Sequence, residues 1–553
     1  MPWPGRLALV PAVAILALAP VPAPLAAQQP RPGTLVIIEP QYASMPVPTL
    51  MYDAAAHTAN FAVADQLFLR LATLGNDLTT AGDRGFRPGL ARSWMRRDSV
   101  TVAFDLDPRA RWHDGVPVTS RDVVHTFEIA RDAQRSPRLA RPLRWIADVR
   151  AEGTHRVVFR FSRVYAEQVY DAVHHVQPLP AHLVAGLDRE ALRQSSFAST
   201  PVGNGPYRWS RAEPGQFVEL TRVSNFFLGT PGIERVVIRV ASSPDARLNL
   251  LLSGAGDAME NLIPPLSNLD RLRAEEDLRL VTSPSATIGY LLFNQRARGD
   301  TSRPHPILSD PAVRRALVLA LDREAMVRAA YGPYARVATG PVSQIIWIGA
   351  RLPRAAGQNV RAARRLLAES GWRDTDGDSI LDRNGQPLVL GLQFPTTSTV
   401  RRQMALQAQE QLRRIGVRIE VDGFEGPIWF ERRNAGQFDI DFSSATQDPS
   451  PSGLLQSWSC AGIGGTNVAH YCNPTVDSLM NGAITTQDDP MPLWRAAVRL
   501  IERDAPAAFL YAPVNVIAVD RRIRNVHIRP ESPWASVREW TLSSPGNGSG
   551  AGR

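Results

Sequence analysis

The chain has 553 residues, 44% of them hydrophobic, and carries 62 basic side chains against 53 acidic ones for a net charge of +9. The sequence contains no lysine, so every basic side chain counted there is arginine. That excludes a Schiff-base enzyme, a P-loop nucleotidase and a kinase-type phosphate lysine together. The arginines are scattered, with pairs such as Arg364-Arg365, Arg401-Arg402 and Arg413-Arg414 on predicted helix faces. They read as solvated helix surface and not as a nucleic-acid stripe.

Residues 1–27 read as a secretory signal, with Arg6 in the n-region, an apolar run over 7–19 and a small-residue cleavage site at 25–27. The run is interrupted by Pro11 and falls short of the ~20 residues a membrane span needs. The rest exceeds the comfortable size of one core and predicts two or three domains. A strand over 34–38 is followed by Glu39-Pro40-Gln41-Tyr42. A hairpin-like segment over 100–106 leads to a turn at Asp114-Gly115. Thr119 is the expected N-cap of a helix over 121–132, with Asp122 as capping-box partner. Between 217 and 240 the pattern alternates, placing Val236, Ile238 and Val240 on one strand face.

In the second half, Asp310-Pro311 reads as an N-cap followed by a first-turn proline. Val313, Ala316, Leu317, Ala320 and Leu321 then form one helical stripe. A further helix ends at 366–370, with Gly371 placed to terminate it. Next come a strand over 388–394, a helix over 400–415 closed by Gly416, and strands over 417–421 and 438–442. Strand–helix alternation with short connections predicts an open α/β sheet. Ligands of such sheets bind beyond the carboxyl ends of the strands, which here means 443–449 in one half and Glu39 to Tyr42 in the other. Two such edges facing across a hinge make a clamshell. The segments expected to cross between its lobes are 290–294 and 508–519, the second returning the chain to a discontinuous first lobe.

Several motifs come in a fixed order: Pro88-Gly89-Leu90-Ala91, then Trp112-His113-Asp114-Gly115 running on to Asp122, then Pro201-Val202-Gly203-Asn204-Gly205-Pro206-Tyr207. After these come Ser253-Gly254-Ala255-Gly256-Asp257, Val313-Arg314-Arg315-Ala316-Leu317, Gly371-Trp372 and Asn473-Pro474-Thr475-Val476-Asp477. The ordered set resembles the extracellular solute-binding proteins of family 5, the dipeptide/oligopeptide-binding type that serves ATP-driven importers. The resemblance covers nearly all of the chain after residue 27. It implies a periplasmic-binding-protein-like clamshell (type II, cluster C) of two lobes, with an extra subdomain in the first. The expected bounds are 28–288 for lobe I with an insert at about 65–195, 289–508 for lobe II, 509–542 for the return to lobe I, and 543–553 for a flexible tail. It also implies a periplasmic, non-enzymatic monomer that needs no cofactor, captures short peptides by hinge closure and delivers them to a membrane permease. The cysteine that anchors many such proteins to lipid does not follow the signal.

One departure bears on the ligand. Peptide binders resembling this chain carry an aspartate at the second lobe's edge that pairs with the ligand's α-ammonium, and aligned on Asp448-Pro449 that position is Ala445. Either Asp448, Asp441 or Glu39 takes the role, or the ligand is a different solute such as a sugar or a metal complex. Position in the fold nominates Glu39, Tyr42, Gln447, Asp448, Trp458, Asn467 and His470 as ligand-binding residues. Trp458 is the aromatic anchor of the set. Cys460 and Cys472 are expected to form a disulfide in an exported protein, contributing about 3 kcal/mol by loop-closure entropy. The run Asp374 to Asp382 has oxygen spacing similar to a calcium loop, but its sixth and twelfth positions are Ser379 and Gly385. It is read as a turn, and His174-His175 is read as no metal site. A Gly-x-Ser-x-Gly elbow and a His-Glu-x-x-His pair are both absent from the sequence, so a secreted hydrolase is the opposing class with little to support it.

Overall fold

The computed structural model describes residues 32–543 apart from 52–56, 261–265, 350–351, 353–355, 487 and 531. The expected signal segment and nearly all of the expected tail lie outside them. Local chemistry sets the element ends where the sequence predicts. The Thr119 N–H donates to Asp122 Oδ2 at 2.7 Å to start the helix Ser120–Arg131. Asp310 accepts from the Ala312 N–H at 2.8 Å to start Pro311–Ala320. Gly371 and Gly416 stop the helices Val360–Glu369 and Thr399–Arg413, each with the positive φ (84° and 82°) that a side chain resists.

The main architecture is one twelve-stranded mixed sheet made of two halves joined by a single long strand, Ala507–Asp520. One half contains Thr34–Glu39, parallel to both Arg235–Val240 and Ala258–Met259, with Phe217–Arg222 and Tyr207–Glu213 continuing to the edge. The other contains Thr287–Phe293, Ile440–Thr446, Val389–Pro395 and Arg418–Phe424, the last three mutually parallel. The long strand pairs with Thr287–Phe293 through residues 507–511, and with Leu278–Pro284 through residues 514–520. The chain therefore leaves the first half between 284 and 287 and returns along 512–514. Residues 290–293 lie wholly within the second half. A separate four-stranded antiparallel sheet is built from Ala91–Asp98, Thr101–Leu106, Arg156–Phe161 and Ile146–Ala151.

The two turn motifs meet. The His113 N–H donates to the Gly203 carbonyl at 2.8 Å, and Gly203 and Gly205 lie so close to the end of the helix His57–Leu67 that a Cβ on Gly203 would sit 1.9 Å from the Leu67 carbonyl oxygen. Apolar burial follows the sheet. One cluster under the second half gathers Val313, Leu317, Leu390, Phe442 and Leu510, and a larger one runs from Leu35 and Phe104 through Tyr290 to Trp458 and Trp494. Solvated surface is the right description of Arg364, Arg365, Arg402, Arg413 and Arg414, which are exposed. Arg401 is half-buried and donates to Ser444 Oγ at 2.6 Å. Arg314 is only 3% exposed and donates to the carbonyls of Leu308, Ser309, Asp504 and Ala505. Among the described residues no helix is long and apolar enough to cross a membrane.

Candidate functional site

Strand direction locates the crevice. The strands Thr34–Glu39 and Ala258–Met259 both run against Ala507–Asp520, with Met259 opposite Ala518, so their carboxyl ends point toward the second half of the sheet. Ile440–Thr446 runs against Thr287–Phe293 with Thr446 opposite Thr287, so its carboxyl end points back toward the first half. The two edges confront each other over residues 512–517 of the shared strand, about 16 Å at ~3.3 Å per residue. Carboxyl ends of strands on both sides of a crevice are the usual seat of a ligand in open α/β sheets.

On the first side stand two acids. Glu39 is fully buried; its Oε1 accepts from Trp534 Nε1–H at 2.7 Å, while Oε2 has no hydrogen-bond partner among the described residues. Burial, and then the neighbouring Glu260, push the Glu39 carboxyl up to about 8. Glu260, 7% exposed, follows Met259, which pairs with Ile38 next to Glu39. Tyr42 is half-buried and lines a hollow of about 370 Å³ together with Ser44, Thr200, Trp209, Ser210 and Arg211.

On the second side Ala445 is half-buried, and Asp448 is exposed. Gln447 is engaged: its Oε1 accepts from the Ser343 N–H at 2.6 Å and its Nε2 donates to the Pro341 carbonyl at 2.7 Å. It thereby holds the segment 341–348, whose Val342, Ile345, Ile346 and Ile348 are buried. Asp441 lies behind the edge, fully buried, accepting from Trp429 Nε1 at 2.8 Å, Gln393 Nε2 at 3.0 Å and Ser443 Oγ.

The remaining nominated residues lie elsewhere in the second half. Trp458 is 2% exposed and packs edge-on against Tyr290 and Phe509, at centroid distances of 5.9 and 5.3 Å. Cys460 and Cys472 form the expected disulfide, with Cα atoms 4.4 Å apart. Asn467 is buried inside that loop, donating to the carbonyls of Ser459 and Tyr471 at 2.8 and 2.7 Å. His470 is half-buried with φ of 56°. Its neighbour Ala469 accepts from the Gln295 N–H at 3.0 Å, beyond the end of Thr287–Phe293 that is remote from the crevice. The structure brings Glu39 and Gln447 to the two facing edges, with Tyr42 and Asp448 just past them. Trp458, Asn467 and His470 are not gathered there.

Residues 85–465 match the family model described as bacterial extracellular solute-binding proteins, family 5 Middle. The chain belongs to this family. Over 454 residues it is 26% identical to the oligopeptide-binding protein AppA of Bacillus subtilis (strain 168), covering 80% of this chain and 81% of that protein. The fold is similar to the structure of Bacillus subtilis AppA in complex with a nonapeptide, with TM-score 0.73 and 23% identity over 94% of this chain and all of the other. It is equally similar to NikZ from Campylobacter jejuni in complex with Ni(L-His), with TM-score 0.73 and 21% identity over 92% of this chain and 99% of the other.

In this family 5 chain, sequence reasoning passed over Glu260, Trp534, Ser343 and the acid Glu167. The first two could be sought only as polar residues at a strand end and in the returning segment; nothing local marks the others. The Asp374, Asp376 and Asp378 carboxylates come within 4.8 Å of one another and are exposed. They cap their own turn, accepting from the N–H groups of Gly377, Ser379, Asp378 and Ile380.

Proposed function

We propose that this protein is the solute-capturing component of an ATP-driven importer, periplasmic after removal of residues 1–27, closing its two lobes over a short peptide and releasing it to a membrane permease. The observation that carries the reading is the pair of strand-end edges, Glu39 with Glu260 and Thr446 to Asp448, facing each other beside one shared strand. Such an edge takes an extended ligand through main-chain hydrogen bonds, with ordered water filling the side-chain pockets. We take the lobe bounds as 28–286 and 287–511 with a return over 512–542, a few residues from the expected 28–288, 289–508 and 509–542, because Thr287–Phe293 pairs with residues 507–511 in the second half. The reading needs no catalytic step and no cofactor, and it takes the protein to act as a monomer.

Glu39, with Glu260 beside it, is the group we assign to a cationic end of the ligand, whose charge would draw off the proton that burial and Glu260 keep on Glu39, because Ala445 supplies no carboxylate and Asp441 is already bonded on both oxygens. A buried ammonium without a counter-charge is costly. A second reading, capture of a non-peptide solute such as a sugar or a metal complex, is favoured by the same Ala445 and by the amide of Gln447 being occupied by residues 341 and 343.

The test is non-denaturing purification from exported material followed by mass spectrometry of whatever the protein releases. Mixed short peptides support the first reading, and a single non-peptide solute the second. Catalytic conversion of an added candidate solute would overturn both.

A further inference from the structure

Glu167 is 6% exposed, and the bonds its carboxylate receives come from hydroxyls. Thr80 Oγ1 donates to Oε1, and both Ser450 Oγ (2.7 Å) and Ser452 Oγ donate to Oε2. Thr80 and Glu167 belong to the stretch between the opening strand and Tyr207–Glu213. Ser450 and Ser452 belong to the second half of the molecule, directly after the edge residues Thr446, Gln447 and Asp448. The same boundary is crossed twice more nearby: Trp347 Nε1–H donates to Thr80 Oγ1 at 3.1 Å, and the Ala166 N–H donates to the Ile484 carbonyl at 3.3 Å.

We propose that Glu167 is the closing latch of the clamshell, a positioning residue that holds the two lobes together at a point away from the shared strand. This rests on the hinge closure proposed above. A carboxylate taken out of water is tolerated when hydrogen-bond donors replace its hydration, and two of its three donors exist at that place only while the lobes are together. Opening returns Glu167 to water and leaves Ser450 and Ser452 without it. The latch is also wired to the crevice. Ser450 lies two residues past Asp448, and Trp347 sits on the segment whose Pro341 and Ser343 are held by Gln447. Displacement at the Thr446 to Asp448 edge therefore moves both the serines and the indole that meet at Glu167. Closure is then determined partly by residues that need not touch the solute.

The test compares solution X-ray scattering of the full protein, purified without denaturation so that any captured solute stays bound and the lobes are closed, with Glu167→Ala, the isosteric Glu167→Gln, a Ser450→Ala/Ser452→Ala double variant, and a wedge variant, Ser452→Trp, that forces the interface apart. The expected result is a rise in radius of gyration of about 1 Å for all four variants, on the ~24 Å of a compact chain this long. Thermal midpoints should stay close to wild type in Glu167→Gln and the serine double variant. If the wedge expands the molecule while the Glu167 and serine variants stay as compact as wild type, the latch is wrong and hinge closure stands. If even the wedge leaves the radius unchanged, the lobes do not separate, and both the latch and the clamshell reading are overturned.

Discussion

The Gly203 N–H donates to Nδ1 of His113 at 3.1 Å, and Nε2 of the same ring reaches the Gly205 carbonyl at 3.1 Å. One imidazole thus clips the two turn motifs that dominate the sequence. The bond pattern requires the neutral tautomer with its proton on Nε2, because a proton on Nδ1 would face the Gly203 donor. Burial agrees, pushing the His113 ring down to about 4. A depressed imidazole contributes stability that is complete above the ordinary value near 6.5 and is lost as pH falls toward 4. Denaturant unfolding across that window should show a loss of up to about 3 kcal/mol attributable to His113. In His113→Gln the acid slope should shrink; an unchanged slope would mean that the ring does not govern it.

Gly203→Ala should be among the most damaging single changes in the molecule. Its Cβ would overlap the Leu67 carbonyl oxygen at 1.9 Å, and backbone cannot step aside as a side chain can. We expect a loss above ~3 kcal/mol or failure to fold. Gly115→Ala is the matched control, with φ of 93° and open space at its Cβ. It should cost about 1 kcal/mol. Thermal unfolding of the pair separates steric exclusion from backbone preference.

Glu39 predicts an opposite pH trend. Its carboxyl rises from the ordinary 4.5 to about 8 on folding. A raised acid favours the folded state fully below 4.5, and that contribution is lost as pH climbs through about 8. Glu39→Gln should match wild type near pH 5 and exceed it in stability at pH 9. Denaturant midpoints at both pH values check this, and a constant difference between the two proteins would contradict it.

Arg314 serves as a buried cap for the loop around Leu308 and for the end of the helix Met491–Asp504. Arg314→Met keeps the apolar stem and strands the carbonyls of Leu308, Ser309, Asp504 and Ala505. A loss of about 3–5 kcal/mol is expected, with Arg315→Met, on the exposed face of the same helix, near neutral. Calorimetry of the two variants gives the comparison.

What was legible in the sequence was mostly local. Thr119 with Asp122, Asp310 with Pro311, and Gly371 and Gly416 mark helix ends through bonds or backbone angles that involve neighbours within a few residues. The alternation from 388 to 442 gave the second half of the sheet for the same reason. Illegible were the meetings that only tertiary packing makes: Trp534 with Glu39, Glu167 with Ser450, Arg314 with Asp504. The expected crossing at 290–294 fell a few residues late because an apolar strand reads alike on either side of a junction. Cys460 and Cys472 could be paired from composition, but a closed loop does not say against which end of a strand it packs. His470 and Asn467 therefore sit away from the edge where Gln447 lies.

The shared strand Ala507–Asp520 also dictates when the molecule can be finished. Ala258–Met259 and Leu278–Pro284 both wait for residues 514–520 as partners, so the lobe begun first during synthesis is completed last. Until the final tenth of the chain emerges, the first half of the sheet presents an open edge beside Met259. That is a long interval in which an unpaired strand is available to the wrong neighbour. A protein so arranged depends on being kept unfolded, or chaperoned, until its carboxyl end arrives, and truncations near the end should cost the beginning.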